Sequence, residues 1–77
     1  MVRVYPNPTN DHLTVENPAS NSADRYSIKN VLGQIVLDGN LVSGEQDIDV
    51  SHLVEGNYII SVYKGGIQSG NTMFVKK

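Results

Sequence analysis

Two isolated histidines, a pair of neighbouring aspartates, four tyrosines and a pair of lysines are the side chains with chemical potential in this chain of 77 residues, which has no cysteine. His12 and His52 lie far apart in sequence, each without a nearby nucleophile or second ligand, and a metal site or catalytic dyad needs convergent partners. His12 follows Asp11, but nothing beside them signals a nucleophile, so both histidines read as solvated or locally bonded. Asp47 and Asp49 share one face of an alternating segment and could help to hold calcium. Calcium takes six to eight oxygens, and no glycine-flanked acidic loop accompanies this pair. A solvated strand face that repels a neighbouring strand edge accounts for them. Tyr5, Tyr63 and Phe74 could offer a stacking platform to a sugar, but aromatic residues are only 6% of the chain, and Tyr26 and Tyr58 fall on inward positions. Core or rim packing is the simpler reading. Asn7-Pro8-Thr9 has proline in its centre and is not a glycosylation acceptor. No nucleophile, base and oxyanion donor assemble, so the residues imply neither an enzyme nor a cofactor. Lys76-Lys77 reads as a solvated end that keeps the last strand from aggregating.

The stretch Tyr5-Pro6-Asn7-Pro8-Thr9 is stiff for covalent reasons. Pro6 and Pro8 hold φ near −65° and lack an N–H, and Tyr5 and Asn7, each before a proline, are pushed toward extended geometry. Such a segment ends an edge strand, turns a corner or presents itself to a partner. The net charge of −2, with both signs interspersed, gives no basic patch for nucleic acid. No apolar run approaches the ~20 residues that span a bilayer, and no signal peptide opens the chain. Met1 directly before a strand-like Val2-Arg3-Val4-Tyr5 reads as an initiator placed on a piece of a longer protein.

The elements that must position these residues are short strands. Val2 to Tyr5 alternates and then meets Pro6, making it the expected edge strand and the place where an isolated module would dimerise or swap a strand. Thr9-Asn10-Asp11 is a polar turn. His12 to Glu16 points Leu13 and Val15 inward, and Asn17 to Ser22 is a loop by composition. Arg25 to Asn30 puts Tyr26 and Ile28 on one face. Asn30-Val31-Leu32-Gly33 is a tight turn in which Gly33 supplies positive φ, and Gln34 to Asp38 returns with Ile35 and Leu37 inward. Gln46 to Val50 points Ile48 and Val50 inward, and Ser51 to Gly56 is a short connection of about one helical turn plugged by Leu53. Asn57 to Lys64 is the most apolar run and suits a central strand. Gly65-Gly66 permits a hairpin, and Ile67 to Val75 pairs back, with Met73, Phe74 and Val75 too continuous for a face to be assigned. One domain over residues 1–77 is expected. Its predicted class is all-β, an immunoglobulin-like antiparallel β-sandwich of about seven strands, on architecture alone because the marker cysteines and tryptophan are missing.

In this order and spacing the residues resemble the C-terminal sorting domain of cargo proteins exported by the type IX secretion system of Bacteroidetes. The resemblance runs from Val4-Tyr5-Pro6-Asn7-Pro8-Thr9 through Leu13-Thr14-Val15, Tyr26-x-Ile28 and Leu32-Gly33-Gln34. It continues through Ile48-x-Val50-x-x-Leu53, Gly56-x-Tyr58 and Gly65-Gly66 to Lys76-Lys77. It implies a non-catalytic export signal read by the outer-membrane translocon and preceded by a cargo domain. A sortase-like cysteine protease of the cell surface would cut ahead of residue 1, releasing the cargo or linking it to an anionic lipopolysaccharide. Carried over to this sequence, the signal positions are Tyr5, Pro6, Asn7, Pro8, Gly33, Gly56, Tyr58, Lys76 and Lys77. The competing expectation is a carbohydrate-binding or adhesive sandwich appended to an enzyme.

Overall fold

Period-two alternation broken by Gly, Pro and Asn clusters produces seven strands and no helix among the described residues. The computed structural model describes residues 2–18 and 23–77. The strands are β1 (Arg3–Tyr5), β2 (His12–Asn17), β3 (Arg25–Lys29), β4 (Ile35–Asn40), β5 (Gly44–Asp49), β6 (Gly56–Lys64) and β7 (Ile67–Lys76). They form a three-stranded sheet in the order β1-β2-β5 and a four-stranded sheet in the order β4-β3-β6-β7. Every strand pair is antiparallel. The constant-type immunoglobulin order places the fourth strand beside the fifth. Here it lies beside β3, because a tight turn joins the two. In that turn the Asn30 side-chain oxygen accepts from the N–H groups of Leu32 and Gln34, at 3.0 and 3.1 Å, and Gly33 takes φ +81°.

Inward positions of the two sheets meet in one core. Leu13, Val15 and Ile48 come from the first sheet, and Tyr26, Ile28, Tyr58, Ile60, Val62 and Phe74 from the second. Phe74 stacks on Tyr58 with ring centroids 5.6 Å apart. The structure thus assigns the face that the run Met73-Phe74-Val75 leaves open: Phe74 is 1% exposed, and its two neighbours face outward. Val50, Leu41 and Leu53 close the ends of the core. As the sequence predicts, β6 is interior and β1 is an edge.

Four expectations need correction. Ile35 does not point inward: it is 58% exposed. A register shift pairs Lys29 with Ile35 but Ile28 with Leu37, so Val36 is the extra residue of a bulge. Leu37 stays on the core side while Ile35 moves to the outer face. Residues 51–56 form no helical turn; a hydrogen-bonded turn closes from Leu53 N–H to the Val50 carbonyl at 3.0 Å. Asn17 is no loop residue but the buried end of β2. Its amide nitrogen donates to the carbonyls of Ala23 and Val42 and its oxygen accepts from Ala23 N–H, each at 2.9 Å. The expected loop residues 19–22 lie outside the described residues. Thr9, finally, is not a turn residue beside Asn10 and Asp11: it is buried and bridges to Lys76.

Candidate functional site

Between β1 and β2 the chain crosses from one sheet to the other. Pro6 ends β1 because it cannot donate to the ladder, and both the Tyr5-Pro6 and Asn7-Pro8 peptide bonds are cis. With two prolines in the corner, Asn7 and Thr9 are its only residues able to offer a backbone N–H to the second sheet. Thr9 does so. Its N–H donates to the Val75 carbonyl at 2.8 Å, and its carbonyl accepts from the Lys77 N–H at 2.8 Å. That is one rung of a parallel ladder on β7. The Thr9 hydroxyl donates to the His12 carbonyl, holding the far side of the corner. The Asn7 side-chain oxygen accepts from the Val75 N–H at 2.9 Å. The proline corner and the basic strand end, separated by almost the whole sequence, are therefore a single clasp.

The sequence-predicted positions distribute around it unequally. Asn7, Lys76 and Lys77 form it, and Pro6 and Pro8 flank it, exposed. Gly56 is the cross-strand partner of Lys76, and Tyr58 that of Phe74, so both lie beneath the clasp. Gly56 opens β6 at φ +153°. The Tyr58 hydroxyl donates to the Val54 carbonyl at 2.6 Å, as a core tyrosine with a satisfied tip should. Gly33 is not part of this arrangement; it serves the β3–β4 turn. Tyr5 turns away onto the outer face of the first sheet, where its hydroxyl donates to Glu45 Oε2 at 2.7 Å. That hydrogen bond, with some desolvation and the nearby charges of Glu45 and Glu16, pushes the phenol pKa up to about 12.

Lys76 corrects the reading of the basic end as solvated. Alternation along β7 puts Lys76 on the same face as Phe74, and it is 7% exposed. Its stem covers the end of the core, and its ammonium returns to the Lys77 carbonyl at 2.9 Å. Lys77 is the exposed cation of the pair. Thr9 and Val75 carry the clasp, and neither is among the signal positions that the resemblance implies. The legible signal was that Thr9 has the first backbone N–H after the second proline.

The residues weighed for other chemistry are spread out. Phe74 is in the core, Tyr5 lies on the first sheet, and the Tyr63 hydroxyl pairs with Ser27 Oγ on the second at 3.1 Å. The three rings form no common platform. His12 is the cross-strand partner of Asp49, and both histidines lie near enough to Asp49 to favour its charged form. The larger causes that hold this carboxyl below its ordinary value are the hydroxyl and N–H of Ser51. Asp47 accepts from the Thr14 hydroxyl at 2.8 Å. Among the described residues no group of three or more histidine or carboxylate side chains converges on a metal position.

A model of the secretion system C-terminal sorting domain family matches residues 3–77. The chain belongs to that family. No curated protein is a significant match. The sorting domain is a type IX secretion signal, and a signal of this kind implies export out of the cell. The family is one of sorting signals and not of catalysts. The family match includes both halves of the clasp, so the corner and the strand end of this sorting domain fall inside the matched span.

Proposed function

We propose that residues 1–77 act as one folded signal, without catalysis of its own, that carries an upstream cargo through the type IX outer-membrane translocon. A surface sortase-like cysteine protease then cuts ahead of the domain, and the cargo is released or anchored to lipopolysaccharide at the cell surface. The observation that carries this reading is the family match over residues 3–77. The clasp supports it by putting Pro6, Asn7, Pro8 and Lys77 on one exposed surface. In this reading Pro6, Asn7, Pro8 and Lys77 face the translocon, and Tyr5, through its bond to Glu45, orients the corner. Gly33, Gly56, Tyr58 and Lys76 act through the fold that holds that surface together.

The test is a graft. Residues 1–77 are fused to a periplasmic reporter in a bacterium that has this secretion system. Delivery of the reporter to the surface is expected, followed by a cut ahead of the domain that is lost when the sortase-like protease is deleted. A reporter retained in the periplasm with the domain folded sinks the proposal.

A further inference from the structure

The two sheets do not close along the side where β1 and β7 face each other. β7 is the last strand of its sheet, and among the described residues only its C-terminal end is covered, by Asn7 and Thr9. Val75 directs both its N–H and its carbonyl outward to those residues. Backbone groups of successive strand residues alternate in direction, and the register of residues 70 to 76 against β6 is unbroken. The N–H and carbonyl groups of Met73 and Asn71 therefore point to the same free edge, while Thr72 and Gly70 bond inward to β6.

Two properties set this edge apart. Strand edges are ordinarily guarded by charge or proline. β1 has Arg3 and ends at Pro6, β4 has Asp38, and β5 has Glu45, Asp47 and Asp49, but residues 67–75 contain no charge and no proline. Beside the edge the core is also incomplete. Gly70 and Thr72 occupy the inward positions and leave an open pocket of about 160 Å³ lined by Val2, Val4, Ile60 and Val62 and, from β7, by residues 69–72. A cavity of ~150 Å³ with apolar walls accommodates a group the size of benzene.

We propose that the free edge of β7 takes up an extended strand of a partner protein, which continues the sheet past Asn71 and Met73 and puts one leucine- or phenylalanine-sized side chain into the cavity. The edge already binds an extended segment in this way, since Thr9 is a one-rung strand on its C-terminal end; the guest extends the same ladder. A second copy of this chain pairing through its own β7 is a poorer occupant. Its β7 would present Gly70 and Thr72 at the inward positions, and neither fills the cavity. This inference rests on the sorting reading, in which the guest strand belongs to the machinery that receives the signal.

The decisive variant is Asn71→Pro, which deletes an outward N–H and leaves the ladder to β6 intact. Asn71→Ala removes the side chain and keeps the N–H. A third, Gly70→Val, keeps every donor and narrows the cavity; its added Cβ would lie 3.6 Å from Val62 Cγ2, an ordinary contact. In the reporter graft, with folding checked by thermal melting, Asn71→Pro and Gly70→Val are expected to lower surface delivery at least tenfold, and Asn71→Ala, which keeps the N–H, to lower it several-fold less. Hydrogen exchange in the free domain should find the Asn71 and Met73 amides fast and those of Thr72 and Phe74 slow. Full delivery by folded Asn71→Pro, equal loss in Asn71→Ala, or protected Asn71 and Met73 amides in the free domain overturns the inference. So does a wild-type domain that sediments as a dimer while Asn71→Pro is a monomer, because the occupant is then a second copy. Failure of the wild-type graft condemns the sorting reading instead.

Discussion

Asn7 meets Val75 through a single hydrogen bond, and that bond ties the proline corner to the end of the last strand. Replacing Asn7 with alanine leaves the Val75 N–H without its partner at an exposed site where water substitutes. The expected loss is about 0.5–1.5 kcal/mol, measured as a lower urea midpoint with unchanged slope. Tyr5 offers a pH test of the same corner. Its folded pKa of about 12 stands above the ordinary tyrosine value of 10.0, so folding favours the protonated phenol. Its contribution to stability is fully present below the unfolded value and is lost as pH rises through the interval between the two. In an alkaline titration followed by tyrosinate absorbance, Tyr5→Phe should remove one phenol from the late step near pH 12 and none from the ordinary one.

Among the elements, β4 separates period from position. Read by alternation, Ile35 and Leu37 are equivalent. The bulge at Val36 makes them opposites, with Ile35 outside and Leu37 packed against the core. Ile35→Ala should therefore change stability by less than about 0.5 kcal/mol, whereas Leu37→Ala should cost about 2 kcal/mol. Equal costs in chemical denaturation would restore unbroken alternation. The β6–β7 hairpin is the contrasting case, because its turn chemistry is written in the sequence. Gly65 and Gly66 take φ +59° and +83°, as a two-residue turn between twisted strands requires. Gly66→Ala should cost about 1–2 kcal/mol through left-handed strain, read as a lower melting temperature.

At the scale of the whole molecule, the proposed signal surface and the end of the core use neighbouring residues of one strand end. Lys76 is inward and Lys77 is outward, so alanine at both would mix two effects. Lys76→Ala removes three methylenes from a buried stem and should cost roughly 2 kcal/mol. Lys76→Met keeps the stem and should be nearly neutral for stability. If charge at the strand end is what the translocon reads, Lys77→Ala should reduce delivery of a grafted reporter without moving the melting temperature. Lys76→Met should leave delivery unchanged, because its ammonium is already bonded to the Lys77 carbonyl. Loss of delivery in Lys76→Met alone would reverse these roles.

Local chemistry by itself determined most of the strands, their inward faces and the stiffness of Tyr5 to Thr9. Period-two patterning, proline geometry and glycine turns act over a few residues and need no partner. Only the tertiary structure decided what depends on register and on contact across the sequence. A bulge in β4 turned Ile35 outward, parity along β7 buried Lys76, and folding brought Thr9 onto Val75 and Lys77. The two ends of the motif were legible separately, as a rigid corner and a basic terminus. That they meet was not, because two of the three hydrogen bonds joining them use the backbone groups of Thr9, which every residue type but proline carries.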